Sequence, residues 1–75
     1  MNVRMGEIYD IRESNLKYKF CCYYIRVARI SPKTYLIETC YRRENLIFKK
    51  EKSQKRRIYK EEFYQEIESK KIKLV

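Results

Sequence analysis

The chain has 75 residues, with 19 Lys and Arg against 10 Asp and Glu and no His, giving a net charge of +9. That length leaves no room for a second independent domain. With 44% hydrophobic residues, eight Tyr and three Phe, the chain is too aromatic for a disordered basic tail. No window approaches the roughly 18 apolar residues of a membrane span, and residues 1–10 hold no apolar run of the kind a secretory signal needs.

In chain order, residues 7–12 alternate strand formers with polar residues and predict a strand. Glu13, Ser14 and Asn15 predict a turn, because Ser and Asn side chains bond their own backbone there. Residues 18–30 are dense in aromatic and β-branched side chains and predict a long strand. On it Tyr23, Ile25 and Val27 share one face, and Cys22, Tyr24 and Arg26 the other. Pro32 suits the second position of a turn over residues 31–34. A strand over 34–41 completes a hairpin, with Tyr35, Ile37, Thr39 and Tyr41 on one face.

Residues 42–45 predict a second turn, after which Leu46, Ile47 and Phe48 begin another strand. Residues 49–57 hold six basic residues, one Glu and no apolar residue. They predict the arms and tip of a second hairpin, with Ser53 and Gln54 near its turn. Residues 60–69 change period: Tyr59, Phe63 and Ile67 are four apart and form one apolar stripe of a short helix. Glu61 and Glu62 in its first turn, with Lys70 and Lys71 beyond its end, match the helix dipole. Ile72, Leu74 and Val75 predict a closing strand.

The expected fold is mostly β with one short C-terminal helix, in a single domain over 1–75 with a basic hairpin at about 42–57. Short antiparallel strands in so few residues suggest a strongly bent sheet or a small SH3-like barrel, an OB-like one being the alternative, since closure removes exposed edges. Phe20, Phe48, Phe63, Ile25, Val27, Ile37 and Ile67 are the expected core. An exposed edge at 7–12 or 72–75 would let a second copy pair.

Three cysteines, Cys21, Cys22 and Cys40, are the only candidates for a covalent or metal staple. A Cys21–Cys22 bridge closes no loop; a bridge from either to Cys40 requires their strands to pair. The odd count and the absence of a signal point to a reducing, cytoplasmic setting. Zinc would need a fourth ligand from a carboxylate or a second chain, so no metal or other cofactor is expected, and packing is the simpler role for these thiols. Without His, a Ser–His or Cys–His nucleophilic pair is impossible within the chain. Tyr24, Arg26 and Arg42 are the residues a metal-free ribonuclease would use, but no spacing singles them out. The expectation is that the protein is not an enzyme.

The charge is concentrated. Residues 1–40 carry a net +3, residues 41–60 a net +7 and residues 61–75 a net −1. Arg42, Arg43, Lys49, Lys50, Lys52, Lys55, Arg56 and Arg57 would project as a positive finger that attracts phosphates by counterion release. Tyr41 and Tyr59 flank it and would stack on unpaired bases. Tyr24, Arg26 and Arg29 would extend the patch if they face the same side. The plain alternative is a solvated loop that keeps a small protein soluble.

Nucleic-acid binding with low sequence specificity follows from this pattern, with RNA or single-stranded DNA favoured, since no recognition helix is available for a major groove. A second reading is a small inhibitory protein that docks on a host nucleic-acid-handling protein or ribonucleoprotein through the same finger. The length and the Lys-, Ile- and Tyr-rich composition are similar to those of compact proteins encoded by phages and mobile elements of low-GC bacteria, some of which inhibit CRISPR effectors and polymerases. The partner is then nucleic acid or an anionic protein surface, and not a membrane.

Overall fold

The structure, a computed structural model, describes residues 2–44, 47–50 and 53–75, and over 40–44 and 47–50 it describes the backbone path alone. Its elements are β1 (Ile8–Asp10), α1 (Leu16–Phe20), β2 (Tyr24–Ile30), β3 (Thr34–Glu44), β4 (Ile47–Lys50), β5 (Lys55–Tyr59), α2 (Lys60–Glu68) and β6 (Lys73–Leu74). All strand pairs are antiparallel. The order across the sheet is β4-β3-β2-β1-β6, with β5 on β3. The path has two ends, so the sheet is open and the expected barrel closure does not occur. β1 lies between β2 and β6, so residues 7–12 are not an edge; that position falls to β6.

One face of the sheet carries the core. Tyr9, Ile25, Val27, Tyr35, Ile37, Thr39 and Ile58 are all buried on it, as the period of two along each strand requires. α2 covers this face through Phe63, which is fully buried. The Phe63 ring meets Tyr9 edge-on at 5.1 Å and Tyr35 at 5.5 Å, the geometry aromatic quadrupoles favour. Of the expected core residues, Phe20, Phe63, Ile25, Val27 and Ile37 are buried and Ile67 is partly so; Phe48 lies outside the described side chains.

The helix over 60–68 matches its expected span, with one change in its stripe. Tyr59 sits at the N-cap in an extended conformation, φ −68° and ψ 139°, and is 67% exposed. Tyr64 packs against the core, and its hydroxyl meets that of Tyr35 at 2.6 Å. Past the C-terminal end, the Lys71 and Ile72 N–H groups both donate to the Glu66 carbonyl. That turn delivers the buried Ile72 under the sheet before β6 joins β1.

The long strand expected over 18–30 begins only at Tyr24, because residues 16–20 form α1. Leu16 and Phe20 are four apart and both buried, so a helical turn places both in the core. Ser14, itself buried, starts the helix by accepting the Leu16 N–H at 3.1 Å, and its hydroxyl donates to Glu66 of α2 at 2.9 Å. Cys21 ends the helix in the left-handed region at φ 55°. Tyr23, expected on the core face, precedes β2 and is 60% exposed. Upstream, Gly6 takes φ 87° in the turn that brings its N–H onto the Val27 carbonyl.

The hairpin of β2 and β3 is as expected, with Ile30 opposite Tyr35 and the Ser31 N–H donating to the Thr34 carbonyl. Two bulges interrupt it. Thr39 and Cys40 of β3 together stand opposite Ile25, and Ala28 is an extra residue in β2. The first sets Tyr41 in register with Tyr24. The second turns Arg29 away from the face of Val27 and sets it opposite Leu36.

Candidate nucleic-acid interface

The expected finger has a different construction. Residues 42–44 are not a turn but the end of β3, which pairs with β4 up to Glu44 opposite Ile47. β4 and β5 do not pair with each other as hairpin arms. Both are antiparallel to β3, and they follow one another along the same edge of it. β4 faces Tyr41, Arg42, Arg43 and Glu44; β5 faces the stretch from Thr34 to Glu38. Ser53 and Gln54 are therefore not a hairpin tip. They lie before β5, where Gln54 is bonded to Thr39.

Of the ten expected site residues, Arg42 is in register with Lys49 and Tyr41 with Lys50, while Arg43 is opposite Phe48. The side chains of these residues, and Lys52 altogether, lie outside the described residues. Lys55, Arg56 and Arg57 are consecutive on β5 and all exposed. Arg56 is on the same side of its strand as Ile58 and donates to the Gln54 side-chain oxygen at 2.8 Å. Lys55, Arg57 and Tyr59 alternate with it on the opposite side.

That opposite side is the sheet face away from Phe63, and no described helix lies on it. Its rows follow from the registers. Arg29, Leu36 and Arg57 form one row across β2, β3 and β5; Arg26, Glu38 and Lys55 form the next. Arg26 donates to Glu38 at 3.3 Å, and Glu38 is 8% exposed. This pair offsets its own charge. Arg29, Lys55 and Arg57 have no carboxylate within ion-pair distance among the described residues. The Arg29 position was legible only as a condition on which way β2 faces, and the Ala28 bulge sets that direction.

Farther along the same face, Asp10 and Tyr24 are in register. Arg12 forks onto Asp10, with contacts of 2.7 to 3.2 Å, while its guanidinium lies 5.6 Å from the centre of the Tyr24 ring. Burial alone would push the Asp10 carboxyl up, but the Arg12 hydrogen bonds outweigh it and hold the group below the usual carboxylate range. An open groove beside it is lined by Asp10, Arg12, Glu13, Lys71 and Lys73, where Lys73 meets Glu13 at 3.3 Å. Its charges largely satisfy each other, so it attracts an anion less than the Arg29–Arg57 row does. Tyr24 and Arg26, considered above as ribonuclease residues, are held by Arg12 and Glu38 respectively.

Cys21 is an exposed thiol whose S–H faces the Tyr18 carbonyl at 3.6 Å, and Cys22 is partly buried against the core. Cys40 lies outside the described side chains. No described helix is long and apolar enough to cross a membrane. No family model matches the chain, and no match is found among curated proteins or solved structures.

Proposed function

We propose that this protein binds nucleic acid by its phosphate backbone, with little sequence preference. The observation that supports this most is the arrangement of β4 and β5 end to end along one edge of β3. It strings Lys49, Lys50, Lys55, Arg56 and Arg57 along a single sheet edge instead of around a loop tip. Cations ordered on a strand keep a fixed spacing, which a run of phosphates can meet without ordering a loop first. Arg57 and Arg29, which lack carboxylate partners among the described residues, are available to fork onto phosphate oxygens. Contacts to phosphates position a nucleic acid without reading its sequence directly.

Fluorescence anisotropy across a salt series tests this, using labelled single-stranded RNA, single-stranded DNA and duplex DNA. Binding should weaken linearly in log salt, with a slope of about −0.7 per phosphate neutralised on a single strand. Replacing Lys55, Arg56 and Arg57 by Ala should flatten that slope. Absence of binding at low salt would overturn the reading and turn attention to a protein partner for the same edge.

A further inference from the structure

The register of β5 puts an exposed aromatic ring on the cationic face. Tyr59 is opposite Thr34 and Arg57 opposite Leu36, while Ile58 between them is buried opposite Tyr35. Alternation therefore puts Tyr59 and Arg57 side by side, away from the core. Tyr59 is 67% exposed and lies outside the core cluster of the described residues. The ring is mostly in solvent, whereas Tyr64 of α2 packs against the core. Across Leu36, which is half-buried, the Ala28 bulge supplies Arg29 to the same row. The result is Leu36 between two arginines without carboxylate partners among the described residues, with the Tyr59 ring next to Arg57 in the adjoining row.

The geometry points to a site for single-stranded nucleic acid on this open face of β2, β3 and β5, with a base stacked on Tyr59 and flanking phosphates held by Arg57 and Arg29. This rests on the phosphate-binding reading and narrows it. A duplex keeps its bases inside its own stack and would use only the cations. A single strand offers base faces as well as phosphates, and stacking accepts any base. The face has charge complementarity to the backbone and an exposed ring for a base, the two features single-strand sites combine.

The test compares four variants with the wild type: Tyr59→Ala, Tyr59→Phe, Arg29→Ala and Lys19→Ala. Lys19 removes the same charge from α1, in the other layer. The probes are a labelled single-stranded RNA and a duplex DNA of equal length, read by anisotropy, with circular dichroism confirming that each variant is folded. Tyr59→Ala should weaken single-strand binding about tenfold, as loss of one stacked base does, and leave duplex binding unchanged. Tyr59→Phe should keep single-strand affinity. Arg29→Ala should reduce the single-strand salt slope by about 0.7, the value of one phosphate contact, and Lys19→Ala should not. If the wild type binds the RNA but Tyr59→Ala matches it, or if both probes weaken equally, the stacking site is overturned and phosphate binding stands. If the wild type binds neither probe, both readings fall.

Discussion

Thr39 and Gln54 are joined by three hydrogen bonds. The Thr39 N–H donates to the Gln54 carbonyl at 2.9 Å, its hydroxyl donates to the same carbonyl at 3.1 Å, and that hydroxyl accepts the Gln54 N–H at 3.2 Å. Thr39 is also where β3 bulges against Ile25 and where its partner changes from β5 to β4. A fully buried side chain thus satisfies the backbone at the break between two strands of one edge.

Thr39→Val keeps the shape and removes the hydroxyl, leaving the Gln54 N–H without this acceptor. The expected loss is about 1–3 kcal/mol, read as a lower urea midpoint with an unchanged slope. Thr39→Ser should recover most of it.

Phe63 is the side chain on which the helix layer and the sheet meet. Its replacement by Ala should cost about 3–5 kcal/mol. A core of this size rarely supplies more than about 3–5 kcal/mol in total, so Phe63→Ala should be largely unfolded at 25 °C by circular dichroism. Phe63→Leu should fold with a lowered melting temperature.

Alkaline pH should unfold the protein through its buried phenols. Burial, and then a hydrogen bond from Tyr9 to Glu7, hold the Tyr9 hydroxyl above its ordinary value; burial and the contact with Tyr64 do the same for Tyr35. Below about pH 10, the ordinary phenol value, both states keep these protons and the stability is intact. Above it the unfolded chain releases protons that the folded chain retains, so stability falls as pH rises. Urea midpoints at pH 8 to 11 should drop from about pH 10, and Tyr9→Phe should make the drop shallower.

Replacing Lys55, Arg56 and Arg57 by Ala should leave the fold intact. All three are exposed, and surface changes of this kind usually stay within about 0.5 kcal/mol each. An unchanged urea midpoint would assign any loss of binding in that variant to the interface.

The parts of the fold legible in the sequence were those with an unbroken local period. The β2–β3 hairpin follows from alternating residues around Pro32, and α2 from the spacing of Phe63 and Ile67 with Glu61 and Glu62 in its first turn. α1 was hidden because Tyr18 and Phe20 continue the aromatic run of β2, while the i, i+4 pair of Leu16 and Phe20 begins before it. The basic segment was legible in composition and not in path. Nothing local distinguishes two arms of a hairpin from two successive strands on the edge of a third.

The sequence by itself determined a small, mostly antiparallel β fold with a C-terminal helix, five of the twelve residues of its core cluster, and a concentration of charge in residues 41–60. Those features depend on residue type and short-range spacing, which are properties of the chain alone. Only the tertiary structure decided which faces the charged residues occupy. A bulge changes the side of every residue beyond it, and the bulges at Thr39–Cys40 and Ala28 are defined by the partner strand. The position of Arg29 beside Leu36 and Arg57, and of Tyr59 on that open face, is thus a consequence of pairing between distant segments.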